Sequence, residues 1–376
     1  MGTKIVGHGE EMKPLVETFN AELRNADSPW GFYVDPEPIW VPKREGQKVW
    51  REMFLAIENE TRCVGAYALK PQEWCIHGKT GMVADWQGPI SLGVIDSKYA
   101  VLGLRLLRDM LKKYPMLYSW GHGGNDEPIV KLLAKMGWLM HPTPFLFRIC
   151  NGKNFLLHNG ELRKDAKRAF AQDVLAKSGL GDLAMGSLHA ALRLKSKKRF
   201  SAEAEVVSEF GPWADEIWEK VSPRYDAIAV RDSATMNVMI PAEHKTLEWP
   251  PPTRLRIRKN GKTLGWAVVL QKQKKDDGRF GNLNVGQVGD YLALPEDAGE
   301  VIHAAYEYLR ENGADMVIAN QSHAGWISAF EDKGFVSVAG RRLFCASPAF
   351  QAALEPWTQS QRGLFVSNFD GHGPMF

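Results

Sequence analysis

The chain has 376 residues, 44% hydrophobic and 24% charged, with 47 Lys and Arg against 44 Asp and Glu for a net charge of +3. That length exceeds one ordinary core and suits two domains, and so small a positive excess makes no case for nucleic acid by itself. No stretch approaches the ~20 apolar residues of a membrane span, and the N-terminus has no apolar run of signal length, so a soluble, cytoplasmic protein is expected.

Residues 4–7 read as a short strand and 11–23 as a helix with Met12, Leu15, Val16 and Phe19 along one face. A loop dense in proline and aromatics follows over 27–40. Proline stiffens such a loop, so Trp30, Phe32 and Trp40 either form a rigid wall or plug the end of a sheet. Residues 53–58 and 62–69 form a hairpin about Asn59-Glu60-Thr61, and 73–77 and 81–87 add further strand, ending near Asp85 and Trp86. Residues 89–95 are an apolar strand and 96–99 a polar turn. A helix follows with Val101, Leu102, Leu104, Leu106, Leu107, Met110 and Leu111 at three- and four-residue spacing. Then come strand 116–120, a Gly-rich turn over 122–128, helix 129–136 with Gly137 as its C-cap, and a closing strand over 141–149.

From Arg163 to Arg199, within a helical connector, ten Lys or Arg face three Asp. A solvated helix face is one reading. A patch for an anionic membrane surface or glycan is the other, with nucleic acid the weakest partner because aromatics for base stacking are nearly absent. A helix over 210–220 opens on Gly211-Pro212. Trp249-Pro-Pro-Pro252 breaks the chain, and Asn260-Gly261 marks a type I′ hairpin. Residues 286–294, 298–309, 316–320 and 326–335 then read as strand, helix, strand and helix. The last twenty or so residues, with Phe369 to Gly373, read as an irregular tail. Cys63, Cys75, Cys150 and Cys345 are far apart without metal-ligand spacing, so buried, reduced thiols and no zinc site are expected.

The order strand, turn, helix ending in Leu106-Leu107, strand, then a helix closing on Lys135-Met-Gly137-Trp138 resembles the acyl-CoA-binding half of the GNAT superfamily. It returns over 286–335, closing on Lys333-Gly334-Phe335. The resemblance implies an α/β fold of two GNAT-like domains in tandem, each a mostly antiparallel mixed sheet flanked by helices. The expected limits are 1–150 and 204–350, with a basic helical connector over 151–203 and a tail over 351–376.

Such a fold implies an acyl-CoA co-substrate, acetyl-CoA or another, and a primary amine acceptor. GNAT-like proteins of bacterial polysaccharide and cell-wall pathways are also similar, which brings in an amino sugar or aminoacyl acceptor. The strand carrying Leu92, Gly93 and Val94 would pair with the pantetheine arm. Lys98 and Gly103 occupy the phosphate loop, which lacks the usual leading Arg or Gln. In the second copy Glu296, Asp297 and Glu300 stand where a pyrophosphate would be repelled. The superfamily's acid Tyr is replaced by Leu133 and Phe330, neither a proton donor. His122 and Asn125, or Asn320, Ser322 and His323, are the polar substitutes, with cap and turn roles as the competing reading for Asn125 and Ser322. Asp290 is a carboxylate on the strand that would face a donor, as base or as satisfied strand-end group. Trp30, Asp85, Trp86 and Asn320 are the acceptor-side candidates. Two other functions stay open: a FemABX-like transferase using aminoacyl-tRNA as donor, and a non-catalytic ligand- or partner-binding protein. No P-loop run and no nucleophile elbow is present.

Overall fold

The computed structural model describes residues 2–121, 123–124, 126–161, 163–178, 187, 199–241 and 250–373, without the side chains of 166–169 and 341. The chain forms two compact units. One comprises Met1–His141 with Leu343–Trp357, the other Pro142–Arg342 with Thr358–Phe376.

The first unit runs β1 (Thr3–Gly7), α1 (Lys13–Asn25), β2 (Glu52–Glu58), β3 (Arg62–Ile76), β4 (Lys79–Ser91), α2 (Leu102–Lys113), β5 (Leu117–Trp120) and α3 (Pro128–Lys135), and enters β6 (Leu139–Ile149). Neighbours β1 to β4 are antiparallel, and β4 pairs with β5 in parallel. His77 and Gly78 join β3 to β4 with both φ angles positive (47 and 75), as a two-residue turn matched to strand twist requires. The core sets Val16, Phe19 and Leu23 of α1 and Leu102, Leu106, Leu107 and Met110 of α2 against Leu55, Tyr67, Leu69 and Trp86. Burying each such aliphatic side chain stabilises by about 1.5–3 kcal/mol.

The second unit continues through α4 (Gly152–His158), α5 (Ala166–Lys177), β7 (Glu203–Val207), α6 (Pro212–Val221), β8 (Ala227–Ala229), α7 (Ser233–Met239), β9 (Thr253–Lys259), β10 (Lys262–Gln273), β11 (Asn284–Ala293), α8 (Ala298–Glu311), β12 (Met316–Asn320) and α9 (Ala324–Asp332). The chain then passes along β13 (Val336–Ala346), α10 (Pro348–Ala353), α11 (Trp357–Gly363) and β14 (Leu364–Phe365). Asn260 and Gly261 form the expected left-handed hairpin turn, at φ 50 and 78.

The closing strands are exchanged. β6 follows α3, yet Phe145 to Ile149 pair antiparallel with β12. β13 follows α9, yet Phe344 to Ala346 pair with β5. The expected limits at 150 and 350 therefore differ from the observed division, because the chain leaves one unit at His141 and returns to it at Leu343.

Three local expectations are corrected. Leu92, Gly93 and Val94 form a 3-10 turn, because the Ser91 hydroxyl accepts from Gly93 N and turns the chain out of the strand. The tail is not irregular: it carries α11 and β14, and Asn368, Phe369 and Asp370 are buried. Cys63 and Cys345 are buried, whereas Cys75 and Cys150 are partly exposed. Of the basic connector, 162, 179–186 and 188–198 lie outside the described residues.

Candidate functional site

Each unit holds a split sheet. In the first, β4 and β5 pair only at Ala84↔Leu117 and Asp85↔Tyr118, although β4 runs on to Ser91 and β5 to Trp120. In the second, β11 and β12 pair at Val285↔Met316, Gly286↔Val317 and Gln287↔Ile318, and β11 runs on to Ala293. Just past each vertex the outer ladder is bulged. Ala66 faces Ile90 while Ala68 faces Gln87, which loops out Gly88 and Pro89. Val268 faces Asp290 while Val269 faces Val288, which loops out Gly289. A bulge interrupts a ladder and re-aims its backbone groups, so both repeats place irregular backbone at the mouth of a parting pair.

The helices that follow differ at their N-termini. Val101, at the N-cap of α2, makes no side-chain cap hydrogen bond, and helix starts of that kind leave first-turn N–H groups able to receive an anion. Gly103 in that turn is exposed, and a Cβ built on it would meet no heavy atom within 4 Å. Lys98, four residues before the helix, lies 3.6 Å from Glu58 and 3.2 Å from the Tyr99 hydroxyl. Asp96 already accepts from Lys98 N, so one loop donor is taken. At the start of α8 the situation reverses. A Cβ on Gly299 would lie 2.4 Å from the Phe200 ring, and Glu300 accepts from Ser201 N and Ala202 N. That terminus is both acidic and covered.

The first split has a polar vertex. Asp85 is the last paired residue of β4 and is fully buried. Gln87 donates to it at 2.7 Å, and Lys70 of β3 lies directly opposite. Trp86 points to the other face and packs 6.3 Å from Trp138. Trp40 is buried, with its ring 5.3 Å from the Lys70 ammonium, whereas Trp30 is 66% exposed. Lys70, Gln72 and Arg51 were absent from the sequence-based candidates. The available signal is two polar residues, Lys70 and Gln72, at period two directly after the apolar run 63–69.

In the second unit the split is occupied by the chain's own C-terminal segment. Ser322, two residues past β12, donates its hydroxyl to Leu364 O and accepts from Val366 N. Phe369 packs on Gly289 of β11, where a Cβ would come within 2.9 Å of its ring. Phe365 lies among Tyr225, Tyr291 and Trp326. Asp290, a candidate base, is fully buried and bonded to Arg231 at 3.1 Å, and Arg231 also holds Asp370 at 2.6 Å. Burial pushes the Asp290 carboxyl up to about 6, with Arg231 opposing. His323 is the N-cap of α9: its Nδ1 accepts from Gly325 N and Trp326 N, and burial pushes its pKa down to about 4. Asn320 donates to Pro144 O. His122 and Asn125 lie outside the described residues. Leu133 and Phe330 are buried hydrophobic residues.

No protein-family model matches the sequence, and none of the curated protein sequences does. Among solved structures the chain is similar to Saccharomyces cerevisiae N-myristoyltransferase with bound myristoyl-CoA, at 12% identity and a TM-score of 0.52, over 92% of this chain and 82% of that one. It is similar also to a conserved protein of Enterococcus faecalis V583, a probable N-acyltransferase, at 9% identity and 0.52, covering 94% and 74%. A GCN5-related N-acetyltransferase from Anabaena variabilis gives 10% identity and 0.50, covering 92% and 72%. Identities this low speak to fold alone. Split sheets, strand order and these likenesses together show that the chain shares the fold of these solved structures.

Proposed function

We propose that the protein is an N-acyltransferase that takes an acyl-CoA in its first unit and passes the acyl group to a primary amine. The observation that carries this reading is the contrast between the two splits: the first leads to an open, uncapped helix N-terminus beside Gly103, and the second is filled by residues 364–370 beside an acidic, covered one. β4 and β5 part after Asp85, and an extended amide-bearing arm can add to a strand edge at such a split through its backbone. The pyrophosphate would lie on the first turn of α2, with Lys98 and Arg105 supplying charge. Acetyl-CoA is one candidate donor and longer acyl-CoAs are others.

Asp85 at the vertex is the group we assign to the acceptor. It accepts the proton released as the amine nitrogen forms its bond to the thioester carbon, and the C–S bond then breaks with the electron pair leaving on sulfur. No acid Tyr stands in either closing helix, so the thiolate takes its proton from solvent. Much of the acceleration would come from alignment of the two substrates.

Titration with acetyl-, octanoyl- and palmitoyl-CoA tests the donor reading. One equivalent should bind, with stabilisation of about 2.7 kcal/mol at a hundredfold excess over Kd. No binding by any of them would end it. The second reading, a non-catalytic binder, draws on Leu133 and Phe330 at the two acid positions. Binding without isotope-traced transfer to any amine in a broad panel selects it.

A further inference from the structure

We infer that the outward face of α2 docks an acidic protein that carries its acyl group as a thioester on a phosphopantetheine arm. This rests on the first unit taking the donor, and adds a protein-borne donor to acyl-CoA. Val101, Arg105, Arg108 and Lys112 follow one another at four, three and four residues, so they form a single stripe along the helix. All four are exposed, Val101 at 57%. The opposite face is spent on the core through Leu102, Leu106, Leu107 and Met110.

The three cations of the stripe are uncommitted. Among the described residues none of their side chains makes a hydrogen bond, an ion pair or a ring contact. The one acid of the helix, Asp109, is held by the Tyr67 hydroxyl and by Lys113. Arg105 with Arg108, and Arg108 with Lys112, set like charges at three- and four-residue spacing, which weakens a helix. An anionic partner laid along the stripe relieves that repulsion.

A pyrophosphate on the first turn does not reach so far. The field of a helix start fades within one turn, whereas Arg108 and Lys112 lie about 9 and 15 Å along the axis from Leu102. The stripe is therefore matched to an anionic surface that extends beyond the arm's phosphate. Val94 and Ile95, 57% and 36% exposed, lie in the loop that leads into the helix. Aliphatic residues at the arm's entry with cations beyond them give the apolar centre and charged rim of a protein interface. Helices that lie in lipid use Trp, Phe or Leu, and base stacking needs aromatics. Between residues 92 and 113 the one aromatic is Tyr99, which is buried.

The phosphodiester that joins such an arm to its protein needs the same helix start as a CoA pyrophosphate, so one split serves both donors. Transfer proceeds as with acyl-CoA. The amine nitrogen bonds to the thioester carbon, and the C–S bond breaks with its electron pair on sulfur, which takes up a proton and stays on the carrier.

The test uses the full chain and a fatty-acid acyl carrier protein, an acidic protein bearing the arm, in its octanoyl form. Calorimetry should show binding that weakens as salt is raised. The double variant Arg108→Glu with Lys112→Glu should lose tenfold or more in affinity for the carrier and keep its affinity for octanoyl-CoA. Arg108→Lys with Lys112→Arg should retain both, with melting curves confirming that each variant fold is intact. Absence of carrier binding, or binding unchanged by the charge reversal, overturns the inference. An equal loss of octanoyl-CoA affinity assigns the stripe to the nucleotide and overturns it too. So does cosedimentation with phosphatidylglycerol vesicles that the charge reversal abolishes, if the carrier does not bind. Carrier binding without transfer to any amine ends the transfer reading and leaves the docking face standing. Turnover of octanoyl-CoA without carrier binding gives the reverse.

Discussion

Arg231 and Asp370 form an ion pair at 2.6 Å with neither side chain exposed, which ties the C-terminal segment to the second unit. The same guanidinium bonds Asp290 on β11 and the Ser367 hydroxyl. One cation thus holds the tail against the strand whose split the tail fills.

Breaking that tie should be costly. Removal of one partner of a buried pair typically costs 3–5 kcal/mol. Asp290 would still satisfy part of Arg231, so Asp370→Asn should lose about 3 kcal/mol by urea denaturation. A loss below ~1 kcal/mol would mean the tail is held by its other hydrogen bonds and aromatic contacts, not by this pair.

Two buried groups should pull stability in opposite directions on acidification. Asp290 has its folded pKa raised to about 6, so its ionisation penalises folding at neutral pH. That penalty is relieved as pH falls from about 6 toward the ordinary Asp value near ~3.9. His323 is lowered to about 4, so the stability it contributes is present above ~6.5 and is lost as pH falls toward 4. Urea midpoints between pH 7 and pH 4 should therefore fall less steeply for His323→Asn than for the native chain, and more steeply for Asp290→Asn. Parallel curves would show that neither group carries the linkage.

His323 also caps α9 through Nδ1. His323→Ala should cost about 1 kcal/mol, and His323→Asn, which keeps a capping acceptor, should recover most of it. With its pKa near 4 and that nitrogen engaged, His323 should give no titration between pH 5 and 8 in histidine NMR spectra. A midpoint near 7 would restore it as a candidate base.

Gly103→Ala should separate folding from donor binding. An exposed helical Gly is less stable than Ala by about 0.5–1 kcal/mol, so the variant should melt higher. If the open first turn receives a pyrophosphate, the added methyl should also weaken acyl-CoA binding about tenfold, roughly 1.4 kcal/mol. A variant that is more stable and binds equally well would move the phosphate site elsewhere.

Asp85→Asn keeps the shape and the hydrogen bond from Gln87 but loses the proton acceptor. Transfer should fall by about 10²–10⁴ in kcat with acyl-CoA affinity unchanged. An unaltered kcat would remove Asp85 from the proton path.

Local order was legible in the residues themselves. Asn260-Gly261 made its left-handed turn because two adjacent residues suffice to set it. Strand 316–320 and the helices about Leu106 and Ala305 followed from spacing along a few turns of chain. The amphipathic repeats also carried the fold class, since each must bury one face against a sheet. Residues 92–94 misled because an apolar run looks the same in a strand and in a tight turn capped by Ser91.

What only the tertiary structure decided depends on partners far apart in sequence. The exchange of β6 and β13 leaves no mark on either strand, because a strand's pattern records that a face is buried and not against whom. The pairing of Arg231 with Asp290 and Asp370 spans 59 and 139 residues, so the sequence leaves Asp290 open between a base and a satisfied strand-end group until its cation is in view. Likewise Lys70 and Arg51 meet only once neighbouring strands line up and Trp40 packs against both. The sequence determines which segments must hide an apolar face, and folding chooses which charges are buried together, because electrostatic cost depends on neighbours that the linear chain does not place.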